Sequence, residues 1–408
     1  MTTAERDALR DRLAQHPADR YPAQHATTQF HLGALLLHAG ETGPALEALW
    51  AARDVFGRIG MQAEHAKAGL MLGVGLRGAG RNTQAEAAFE AALPELAALG
   101  LVAEQAAAAY NLGLVRADLG RPAQARDAWE QARELFVAEG HLAQAAAAAR
   151  DHGASLLADG NAPQAVPLLE QAVRLAEASG DLPGVGAAAN VLGLARLACG
   201  QPGPAAEALR AAVGAFPRSV RPAEHAMAKA NLALAYAACD QPARARLAAM
   251  QALALPRAQA PVRAQAVALL ERLPGDPVQD LQTVLTETPP EQWTAVLREE
   301  VLRSGELPTR DRRAVLRGIL DGLLGHPEQA DDLAESLLHV VVELPPRPYT
   351  QVVEALVHGS SGRPAEQTAR LHSVVGSAMA RFAIPQWQRL AAALNEAAAA
   401  AGQPQAWR

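Results

Sequence analysis

Over the first 260 residues the apolar and small positions recur with a period of 40. Leu-Gly or its equivalent stands at Leu32-Gly33, Leu72-Gly73, Leu112-Gly113, His152-Gly153, Leu192-Gly193 and Leu232-Ala233. A second glycine follows at Gly40, Gly80, Gly120, Gly160 and Gly200, replaced by Asp240 in the sixth unit. An alanine (Ala45, Ala85, Ala125, Ala165, Ala205, Ala245), a bulkier residue (Leu49, Phe89, Trp129, Leu169, Leu209, but Ala249) and another alanine (Ala52, Ala92, Ala132, Ala172, Ala212, Ala252) complete the pattern. Steps of four and three place these last residues on one stripe of a helix. Each unit therefore predicts two antiparallel helices. The small residue after Leu admits a close neighbour, although glycine costs about 1 kcal/mol of helix propensity. The second glycine predicts a left-handed helix end, and Pro44, Pro122, Pro163, Pro202 and Pro242 mark the next helix start, where a missing N–H costs little. Gly60, Gly100, Gly140 and Gly180 close the second helices, Pro217 and Pro222 end the fifth, and Pro94 predicts a kink.

Past residue 270 the register ends and alanine becomes scarce, with 10 between 271 and 390 against 74 in the first 260. Helical stretches continue between prolines, at 260–273, 277–287, 290–304, 308–324, 327–344, 348–358, 364–382 and 385–401. The expected organisation is an N-terminal helix or cap at 1–21, six helix pairs at 22–260 and an all-helical C-terminal domain at 261–408. Segment 271–350 carries 15 acidic and 8 basic residues, read as a solvated helical surface or an acidic interaction face.

The repeat residues resemble the tetratricopeptide repeat, in the subclass whose period is 40 rather than 34. The resemblance implies an all-α fold, an α-α superhelix with a C-terminal helical domain, whose concave groove is lined by the first helix of each unit. Groove positions then fall three before the Leu-Gly glycine and one, four and five after it. They supply Phe30 and Leu37, Leu70 and Arg77, Tyr110 and Leu114, Arg150 and Leu157, Asn190, Leu194 and Leu197, and Leu234. Asn111 and Asn231, two before the small residue, resemble asparagines that hold ligand backbone in peptide-binding relatives. A protein or peptide partner is the implied guest, with Arg77, Arg150 and Asn190 setting direction. Alternatively, the C-terminal domain fills or controls the groove, as in a peptide-responsive regulator of bacterial signalling.

Composition narrows the other options. Of 408 residues 96 are alanine and 4% aromatic, which favours helices over a large sheet. A net charge of −6, with 35 arginines and only Lys67 and Lys229, offers no global field for nucleic acid. Cys199 and Cys239 are too few for a disulfide framework and are expected as small buried residues. The N-terminus lacks an apolar stretch and no window suits a membrane span, so a cytoplasmic protein is expected. Gly73-Val-Gly75-Leu-Arg-Gly78 spells a dinucleotide fingerprint, but it falls on the repeat's own glycines without a preceding strand. HGSSGRP at 358–364 reads as a flexible turn. No catalytic motif, metal-ligand spacing or cofactor site is recognised, and a non-catalytic interaction protein is the expectation.

Overall fold

The computed structural model describes residues 3–255, 257–404 and 407. Every regular element among them is helical, and the chain divides into two compact units, Met1–Cys199 and Gly200–Arg408. In the first, α1 (Thr3–Gln15) packs on α2 (Pro22–His38), and its Arg6 pairs with Glu41 at 2.6 Å. Helix pairs follow: α2 with α3 (Thr42–Arg58), α4 (Gln62–Gly78) with α5 (Asn82–Ala98), α6 (Val102–Asp118) with α7 (Pro122–Ala138), and α8 (Leu142–Ala158) with α9 (Ala162–Ser179). Then α10 (Leu182–Ala198) packs on α9 and α8.

The glycine after Leu is where each pair touches. A Cβ on Gly33 would lie 2.6 Å from Leu49 Cγ, on Gly73 2.4 Å from Phe89 Cε1, on Gly113 2.5 Å from Trp129 Cδ1 and on Gly153 2.7 Å from Leu169 Cγ. The bulky partners are buried, so no outward shift relieves such a clash. The second glycines are left-handed, φ +77° at Gly40 and +73° at Gly120, and Asp240 takes the same conformation at φ 57°. The residue after each closes the turn: Arg81 N donates to Leu76 O and Arg121 N to Arg116 O, both at 2.8 Å, satisfying carbonyls the helix end would orphan. α5 runs as one helix through Pro94. The fingerprint-like glycines lie inside α4, where Gly75 faces Leu46 and Leu37, so their role is close packing.

The second unit starts with α11 (Pro202–Ala215), α12 (Pro222–Ala238), α13 (Pro242–Leu253) and α14 (Ala260–Arg272). It continues through α15 (Pro277–Glu287), α16 (Trp293–Glu306), α17 (Thr309–Gly325), α18 (Ala330–Val342), α19 (Pro346–Ser360), α20 (Ala365–Met379) and α21 (Ile384–Ala400). Here the packing style changes. Helices pack chiefly on the next but one, α13–α15–α17–α19–α21 in one layer and α16–α18–α20 in the other. Larger aliphatic residues fill the space between, including Leu297, Leu316, Ile319, Val341, Val352 and Leu390. Ala243 and Leu247 of α13 belong to the same core, so it crosses the composition change near 270 and begins inside the sixth repeat.

Three expectations need correction. Cys199 and Cys239 are half-exposed, because each caps the C-terminal end of a first helix rather than facing its partner. The HGSSGRP stretch is a turn only from Ser361 onward: α19 runs to a buried Ser360, and Arg363 fixes the turn by donating to Gly359 O at 2.9 Å and Asp321 Oδ1 at 2.5 Å. The acidic segment is also not simply solvated. Asp280 is buried against Arg246, and Glu300 is fully buried and bonded by Arg303 at 2.7 Å.

Candidate functional site

A 40-residue period brings one face of each first helix to the same register, so the candidate face in the first unit is drawn by α2, α4, α6, α8 and α10. Phe30, Leu37, Leu114, Leu157, Leu194 and Leu197 are half-exposed there, whereas Leu70 and Asn190 are buried. Among these apolar side chains sits a polar cluster centred on Asp151. Tyr110 Oη donates to Asp151 Oδ2 at 2.8 Å, and Arg150 Nε donates to Oδ1 at 2.9 Å, with Nη2 ion-paired to the same oxygen at 2.7 Å. Arg77 Nε stands 3.5 Å from Asp118 Oδ2.

The electrostatics follow from that arrangement. Burial pushes the Tyr110 hydroxyl well above its ordinary pKa, and the Asp151 charge and hydrogen bond push it further. Burial acts to lower the Arg150 pKa, but the charge and hydrogen bond of Asp151 outweigh it and the net shift is upward. Tyrosine therefore stays neutral and arginine charged across the physiological range. Arg150 keeps guanidinium donors beyond the one that Asp151 accepts, so the cluster can offer N–H groups to a guest carbonyl beside apolar contacts.

The arginines expected to set direction thus already have carboxylate partners. Asp151 was not among the expected residues, yet it lies two before Gly153, the register of Asn111 and Asn231, which was the signal available in the sequence. Asn111 is tied to its own helix, donating to Ala107 O at 2.8 Å. In the second unit α14 lies on α12: Gln265 donates to Asn231 Oδ1 at 3.0 Å, and Leu234 packs in the cluster containing Ala266 and Leu269. Asn231 and Leu234 are therefore covered by the chain itself.

Residues 104–178, which run from α6 into α9 and contain the Asp151 cluster, match the family profile of the tetratricopeptide repeat. The pairs α6–α7 and α8–α9 thus match tetratricopeptide repeats, and the pairs before them share their register. Arrays of tetratricopeptide repeats are generally protein-interaction scaffolds, typically without catalysis. Among solved structures, the apo form of RapI is 12% identical, covers 88% of this chain and 98% of its own, and superposes with a TM-score of 0.50, a likeness of fold. Nearly identical TPR-like repeats from a Podosopora anserina protein described as a kinesin light chain are 20% identical over 51% of this chain and 97% of theirs, with a TM-score of 0.39. No curated protein matches the chain. No helix among the described residues is long and apolar enough to cross a membrane.

Proposed function

We propose that the protein is a non-catalytic, cytoplasmic interaction protein whose first-helix face takes an extended peptide or a helix from a protein partner. The observation that carries this reading is the row of half-exposed Leu and Phe side chains interrupted by the Tyr110–Asp151–Arg150 cluster. Recognition would be reversible burial of apolar groups, worth about 25 cal/mol per Å² removed from water, with Arg150 and Tyr110 aligning the guest backbone. Leu157 and Leu194 are the two anchors we assign. Leu157→Glu with Leu194→Glu replaces half-exposed positions, so it should abolish capture of a partner by the full chain without unfolding it; unchanged capture would remove the site from this face.

A second reading draws on the contact between α14 and α12. Because the chain covers Asn231 and Leu234 with its own helix, the C-terminal region would control access to part of the groove, making the protein a peptide-responsive regulator. Gln265→Ala separates the two: a regulator gains affinity for its guest, whereas an open scaffold is indifferent.

A further inference from the structure

The second unit holds a cavity of about 330 Å³ walled by α11, α12, α13, α15 and α16. At its buried end the charges are matched. Lys229 Nζ lies 3.2 Å from Glu299 Oε2 and donates to Gln251 Oε1 at 2.8 Å, while His225 Nε2 stands 3.6 Å from the same carboxylate oxygen. Gln251 passes the network on to Glu300 at 2.7 Å.

At the exposed end one charge, that of Arg210, is not matched. Arg210, Tyr236 and Arg244 all line the cavity, and Tyr236 lies within the field of both guanidinium groups. Arg244 donates to Thr288 Oγ1 at 2.9 Å and has Glu287 at 3.8 Å. Arg210 has no carboxylate within 4.0 Å among the described residues.

The repeat register explains how this arose. In two earlier units a second-helix glutamate meets a first-helix arginine 26 positions later: Arg116 donates to Glu90 at 2.9 Å and Arg196 to Glu170 at 3.0 Å. At the same register in the sixth unit the pair reads Arg210 and Tyr236. The carboxylate that neutralises this place elsewhere has become a cation, and its former arginine partner has become a hydroxyl. Behind them the cavity wall is apolar, formed by Val213, Leu232, Val284 and Val296.

We infer that this cavity is a binding site for a small amphipathic anion, whose head group supplies the carboxylate the register has lost and whose apolar body fills the space behind it. Arg210 and Arg244 take the head by charge-assisted hydrogen bonds and Tyr236 donates its hydroxyl. Lys229 remains with Glu299 and stays out of the contact. A carboxylate and a phosphate monoester share this chemistry, and the test distinguishes them.

Calorimetric titration of the full chain with octanoate, octyl phosphate, octylamine and octyl glucoside, each below its micelle-forming concentration, reads the specificity. One-site binding of octanoate or octyl phosphate, at least tenfold tighter than the amine or the glucoside, is the expected result, and the tighter of the two anions identifies the head group. The double variant Arg210→Glu with Tyr236→Arg rebuilds the glutamate–arginine pair of the earlier repeats and should weaken the anion at least tenfold. Arg210→Gln gives the same loss with a smaller structural change, and Arg174→Gln, an exposed arginine outside the second unit, should bind as wild type. Absence of anion binding, equal binding of all four amphiphiles, or unimpaired binding in both Arg210 variants would overturn the proposal.

Discussion

Gly73→Ala isolates the contact on which the helix pairs depend. The added Cβ would stand 2.4 Å from Phe89 Cε1 and 2.7 Å from Cδ1 and Cζ, and Phe89 is fully buried, so the ring has nowhere to move. Overpacking a closed core costs about 1–3 kcal/mol, and the better helix propensity of alanine returns about 1 kcal/mol. The net expectation is destabilisation by about 1 kcal/mol, rising to about 2 if α4 cannot shift. Phe89→Ala alone should cost about 3–5 kcal/mol through loss of burial and the cavity left behind. In that background the methyl group has space, so Gly73→Ala should become neutral or stabilising by about 1 kcal/mol, a reversal of sign. Urea denaturation of the four species, followed by far-ultraviolet circular dichroism, measures the coupling. If Gly73→Ala destabilises equally with and without the ring, close approach to Phe89 is not the reason for glycine, and the packing account of the repeat fails.

Three further substitutions test the helix ends and the buried network. Asp240→Gly should raise stability by up to about 1 kcal/mol, since only glycine adopts a left-handed φ freely, while Gly120→Ala at the equivalent place should lower it by about 1 kcal/mol; denaturant midpoints decide both. Burial opposes ionisation of Glu299, but the neighbouring His225 and Lys229 outweigh it and bring its pKa from 4.5 to about 2. The folded chain then binds fewer protons than the unfolded one, so this contribution is complete above about pH 4.5 and is lost as the pH falls toward 2. At about 1.4 kcal/mol per pKa unit it is on the order of 3 kcal/mol. Glu299→Gln should be less stable than wild type at neutral pH, with the difference closing through that acid window in thermal melts; a constant difference would contradict the ion pairing.

The repeat was legible because its restraints are local and periodic. Gly73 needs no side chain opposite Phe89, Gly120 needs a left-handed end, and both constraints return every 40 residues, so the pairing could be read without any long-range information. The second unit was legible only as helices. Its core joins Leu247 to residues more than 100 positions away, such as Leu390, and nothing periodic announces that packing. The composition change near 270 marks where close alanine-mediated pairing gives way to larger aliphatic contacts, while Ala243 and Leu247 carry the core across it.

The candidate face was legible as a set of positions but not as a set of interactions. Register placed Tyr110 and Arg150 together, yet the carboxylate that joins them, Asp151, occupies a place where the other units have His31, Met71, Asn111, Val191 and Asn231. A varied position looks uninformative until its neighbours in space are known. Likewise the covering of Asn231 depends on where α14 turns, which the flanking prolines of 256–261 do not specify.

The most direct measurement places a photo-reactive amino acid in the full chain at Leu157, on the first-helix face, or at Trp50, an exposed second-helix residue, and compares what each captures after irradiation in native lysate. The account predicts a discrete cross-linked partner from Leu157, absent at Trp50 and lost when Leu194→Glu is added. A partner captured from Trp50 and not from Leu157 would contradict it.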